Sequence, residues 1–99
     1  MLKQFMIERD IPDVGNMSPT DLGSASRTSN IALAKIDGIQ WQFSFVSANK
    51  TFCVYLAEDE TLIHKHAELS GFPANAITEI TDVIDPATEQ QCPGVASAG

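Results

Sequence analysis

Basic residues are scarce in this chain. Lysines and arginines number 6 against 13 aspartates and glutamates, which gives a formal charge of −7 and a pI near 4.5. The few cations are scattered. Phosphate backbones are bound by clustered Lys and Arg, so nucleic acid is excluded as the expected partner. Cysteine is equally sparse: Cys53 and Cys92 lack CxxC spacing. With no secretory context, the reading is reduced thiols in a cytoplasmic protein. No run approaches the roughly 20 consecutive apolar residues of a membrane span. Met1 to Arg9 lacks the basic region, long apolar core and small-residue cleavage site of a signal peptide.

Chemical motifs are also few. The chain contains no GxSxG elbow, no GxGxxG and no Walker loop. What is present is ordinary globular material, with 43% apolar and 19% charged residues over a length of 99. That suffices for one domain with a two-layer core, burying roughly 60–70% of its unfolded surface.

The periodicities give an order of elements. Lys3 to Asp10 reads as a strand with Phe5 and Ile7 on one face and Met6, Glu8 and Asp10 on the other. Pro12 ends it, having no amide to donate. Ser18-Pro19-Thr20-Asp21 opens a helix with Ser18 as cap and Pro19 in the first turn. Leu22, Ala25, Ser29, Ala32, Leu33 and Ile36 follow at helical spacing, and Gly38 closes the segment. Ile39 to Ser47 alternates, with Ile39, Trp41, Phe43 and Phe45 against Gln40, Gln42 and Ser44. A short Ala48-Asn49-Lys50 connection makes Thr51 to Ala57 its antiparallel partner. An acidic turn at Glu58-Asp59-Glu60 starts a second helix, with Leu62, His66 and Leu69 inward beside Ile63, Ala67 and Ser70. Gly71 takes its left-handed cap. Ile77 to Ile84 reads as the last strand.

The order β-α-β-β-α-β is the split βαβ, ferredoxin-like arrangement: an α+β fold with a four-stranded antiparallel sheet and two helices on one face. Its opposite face keeps apolar and aromatic residues, which a monomer would expose. A homodimer enclosing a space between two sheets, a dimeric α/β barrel, is therefore expected. The ferredoxin-like domain is read over residues 1–85, and residues 86–99, lacking periodicity, as an extended or disordered tail.

Four residues could carry chemistry. Glu8 faces away from Phe5 and Ile7, toward the expected dimer space, where it binds a metal or pairs at the rim with a lysine. Cys53 and Tyr55 share a strand face, as a thiol and a phenol that either fill the core or meet a ligand. His66 lies on the inward stripe of the second helix. His64 points elsewhere, because i and i+2 diverge on a helix. Trp41 and Ser44 are expected to line the pocket, and Arg9-Asp10 could form an ion pair at the barrel mouth.

Several stretches together resemble a family of small bacterial ferredoxin-like proteins described as nickel-binding or as a domain of unknown function. They are Ile7-Glu8-Arg9-Asp10-Ile11-Pro12, Ile39-Gln40-Trp41 with Ser44 and Val46, Phe52-Cys53-Val54-Tyr55, and His66-Ala67 followed by Gly71-Phe72-Pro73-Ala74 and Ile77. The resemblance covers roughly residues 3 to 85. It implies a dimeric barrel and a divalent transition metal, nickel, held by polar residues facing the space between sheets. Glu8, Cys53, Tyr55 and His66 are the ligands to test, in a sequestering or sensing role. The alternative is a small-molecule-binding protein or cofactor-poor monooxygenase-like enzyme of the same barrel, with Tyr55 or His66 shuttling protons. A plain interaction module without metal is the third reading.

Overall fold

Alternation along β1 (Lys3–Asp10) sends Phe5, Ile7 and Arg9 to one side of the sheet, all buried, and Met6 and Glu8 to the other. In the computed structural model, which describes residues 1–94, β1 is a central strand. The remaining elements are α1 (Pro19–Leu33), β2 (Ile39–Val46), β3 (Lys50–Ala57), α2 (Glu60–Ser70) and β4 (Ala76–Ile80). The four strands lie in the order β2-β3-β1-β4, all pairs antiparallel. This is the expected ferredoxin-like topology.

The helices start and stop where the sequence signals them. The Ser18 hydroxyl accepts from the Asp21 amide at 3.1 Å, with Pro19 in the first turn of α1. The Asp59 carboxylate accepts from the Thr61 amide at 2.8 Å and from the Thr61 hydroxyl. Those bonds, the hydroxyl's first, hold the Asp59 carboxyl below its usual pKa. Gly71 ends α2 at φ 80°.

Phe5, Ile7, Cys53, Tyr55, Ala57 and Ile63 form the core between sheet and helices. Each large side chain among them contributes roughly 1.5–3 kcal/mol through burial. The small residues Ser29 and Ala32 are the buried ones of α1, which lets that helix lie close against its neighbours.

The structure departs from the sequence reading in four places. The β2–β3 register shifts between Trp41 and Phe43, where Gln42 forms a bulge. Beyond it Ser44 and Val46 join Trp41 on the helix side, and Phe43 and Phe45 turn to the opposite face, 49% and 59% exposed. Leu69, expected inward, is exposed. The last strand stops at Ile80, four residues before the expected end at Ile84. Within the segment expected to be extended, Pro86–Gln91 forms a short 3-10 helix capped by Asp85. The end of that tail, residues 95–99, lies outside the described residues.

Candidate functional site

Arg9, on the same strand face as Phe5 and Ile7, is only 2% exposed. One guanidinium nitrogen, Nη1, donates to the Pro73 carbonyl at 2.7 Å, in the turn that follows α2. The other, Nη2, lies 3.5 Å from the Tyr55 hydroxyl and 3.4 Å from His66 Nδ1. His66 Nε2 lies 3.0 Å from the Ser29 hydroxyl. One chain of contacts thus ties β1, β3, both helices and the following turn together around a buried cation.

This arrangement assigns the histidine's state. A guanidinium only donates, so His66 Nδ1 accepts and Nε2 carries the proton, which it donates to Ser29 Oγ. Burial, reinforced by the neighbouring Arg9 charge, pushes the His66 pKa down to about 4. Burial likewise pushes the Tyr55 phenol above its usual range, against the opposing pull of Arg9. At neutral pH the cluster is one cation among neutral groups.

Beside the cluster lies a cleft of about 130 Å³ between α1 and the sheet. Arg9, Tyr55 and Ser29 are among the residues that line it. Trp41 and Ser44 both line it, and Trp41 Nε1 donates to Ser44 Oγ at 3.0 Å across the bulge. The rest of the wall is largely apolar, including Leu22 and Ala25 of α1 together with Val14, Met17 and Phe72.

The four residues expected as metal ligands do not share one site. Cys53, Tyr55 and His66 all lie on the helix side of the sheet, not in a space between two sheets. Cys53 and Tyr55 line the cleft, and the Cys53 thiol approaches the Thr51 hydroxyl at 3.5 Å. His66 sits behind Arg9 and Ser29. Glu8 is on the opposite face, paired across the strands with Phe52, and its carboxylate meets Lys50 Nζ at 3.4 Å. Arg9 and Asp10 make no ion pair; Asp10 also meets Lys50, at 3.6 Å.

A divalent cation does not fit the cleft. Both ring nitrogens of His66 are engaged within the protein, and a guanidinium occupies the position where a metal would approach Nδ1. Among the described residues no three His, Cys, Asp or Glu side chains come together as a metal-binding group.

Sequence reasoning missed Arg9 and Ser29 as site residues. The signal was available: Arg9 falls two residues after Ile7 on the buried face, and Ser29 falls on the α1 stripe.

Residues 5–80 match the family model described as nickel responsive protein, SCO4226-like. The chain belongs to this family. No curated protein matches the sequence. A solved structure similar to it, titled as SCO4226 from Streptomyces coelicolor A3(2), superimposes with a TM-score of 0.69. The match covers 82% of this chain and 99% of that one, at 14% identity, which supports the shared fold. Among the described residues no helix is long and apolar enough to cross a membrane.

Proposed function

We propose that this chain is a ligand-binding module that takes a small organic molecule in the cleft between α1 and the sheet. The observation that carries this reading is a largely apolar cleft whose lining also includes the polar residues Arg9, Tyr55 and Ser29. Binding is favoured over proton-transfer catalysis, because the one nearby imidazole has both nitrogens bonded within the protein.

The module acts as a homodimer. Phe43 and Phe45 pack edge to face, with ring centroids 5.3 Å apart, on the sheet face that carries no helices. Phe52 and Met6 lie on the same face. A second copy placed sheet to sheet would cover these rings and form the barrel.

A nickel-binding role is the second reading, favoured by the family description. Its ion fits the open face better than the cleft, since Glu8 brings a carboxylate there and a second copy would bring another.

Trp41 is the chain's one tryptophan and lines the cleft, so its emission reports occupancy. Titration with benzyl alcohol and with benzoate should give a saturable change in emission, abolished in Ala25→Phe, which fills the cleft. A wild-type protein that responds to neither contradicts the cleft reading. Calorimetry with Ni²⁺ on wild type and Glu8→Gln tests the second reading. It stands if stoichiometric binding is lost in the variant.

A further inference from the structure

Among the described residues the charge of Arg9 has no counter-charge. Among the described residues its acceptors are a carbonyl, a hydroxyl and a neutral imidazole nitrogen. Carboxylates are abundant in this chain, outnumbering cations 13 to 6, yet among the described residues none is placed on this guanidinium. Glu8 and Asp10, its immediate neighbours on β1, both turn to Lys50 at the surface. An isolated buried ion is costly and is retained where something compensates it.

The three contacts made by Arg9 engage three of the five N–H donors of a guanidinium, and two of them are long, at 3.4 and 3.5 Å. The donors left over belong to a residue that lines the cleft. The planar fork of a guanidinium matches a carboxylate in bidentate fashion. The size of the cleft, about 130 Å³, is near the roughly 150 Å³ of an engineered apolar cavity that accepts benzene.

We propose that the cleft binds a small organic monocarboxylate, with its carboxylate on Arg9 and its apolar body between Trp41 and the side chains of α1. This rests on the cleft reading above and names its ligand class. Tyr55 stands beside the guanidinium as a hydroxyl partner for the same carboxylate, and Ser29, bonded to the far ring nitrogen of His66, also lines the cleft. Trp41, stacked at 20° to the Tyr55 ring with centroids 6.4 Å apart, forms a flat apolar wall.

The test uses benzoate, benzamide and inorganic phosphate as probes, read by Trp41 emission on the full chain. Benzoate and benzamide have nearly the same shape and differ in charge. Benzoate should bind roughly ten- to a hundred-fold tighter than benzamide, the range contributed by hydrogen bonds to charged groups. Arg9→Gln should remove that preference by weakening benzoate far more than benzamide. If Arg9→Gln does not fold, the comparison on the wild-type protein decides alone. Equal affinity for the two probes overturns the carboxylate proposal and leaves the cleft reading standing. Phosphate binding as tightly as benzoate overturns the organic-ligand part. No response to any probe overturns both.

Discussion

Arg9 Nη2 stands 3.4 Å from His66 Nδ1, a cation donating toward an imidazole that is buried at 1% exposure. The contact works only while His66 is neutral. Protonation would place two positive charges side by side away from water and remove the acceptor.

Stability should therefore depend on pH through His66. Its folded pKa, about 4, lies below the usual 6.5. Between those values the unfolded chain binds the proton and the folded one does not. The stabilisation is complete above about pH 6.5 and is lost at up to about 1.4 kcal/mol per pH unit as pH falls toward 4, on the order of 3 kcal/mol altogether. Urea unfolding at pH 7.5 and 4.5 should show this loss in wild type. In His66→Gln the part due to this group should vanish, leaving a smaller slope from the carboxylates. Equal slopes in the two proteins would refute the assignment.

Ser29 should matter more than its size suggests. Ser29→Ala removes the hydroxyl that accepts the His66 Nε2 proton in a buried site, at a cost of about 1–3 kcal/mol. Ser26→Ala, one turn earlier and only half-buried, should change stability by less than about 0.5 kcal/mol. Chemical denaturation of the pair checks the contrast.

Two glycines should respond in opposite directions to alanine. A Cβ on Gly15 would meet Ala48 Cα at 2.7 Å and the Ser47 carbonyl at 2.8 Å, both backbone atoms that cannot swing aside. Gly15→Ala should cost about 1–3 kcal/mol. Gly23 lies within α1, where an added methyl would find nothing within 4 Å, so Gly23→Ala should stabilise by up to about 1 kcal/mol. Thermal melts of the two variants read the signs directly.

Phe45→Lys should split the proposed homodimer. The ring is 59% exposed on the helix-free face, so the substitution disturbs little within one chain. It puts a charge, and its copy, into the apposed sheets. Sedimentation velocity should show a dimer for wild type and a folded monomer for the variant. A monomeric wild type would remove the dimer from the account.

Much of the fold was legible because strong local signals agreed with each other. Ser18-Pro19, the acidic run before α2 and Gly71 fixed helix ends, and the alternation of β1 and β3 fixed their faces. β2 misled because Trp41, Phe43 and Phe45 keep perfect alternation in sequence, and a bulge at Gln42 costs that pattern one register step. The site was half legible. Trp41, Ser44, Cys53 and Tyr55 were singled out and line the cleft. Arg9 was passed over because a charged residue at a strand end normally faces water. Its burial shows only in the tertiary placement of Pro73, Tyr55 and His66 around it.

The most direct test of the account observes the Arg9 guanidinium itself. The chain has two arginines, Arg9 and Arg27, so the arginine Nε–H region of a ¹⁵N-resolved NMR spectrum holds two side-chain signals. Saturating benzoate should move the Arg9 signal and slow its exchange with water, while Arg27 stays fixed and benzamide moves neither. An Arg9 signal unmoved by benzoate, or moved alike by both probes, would contradict the assignment of this guanidinium as the carboxylate's partner.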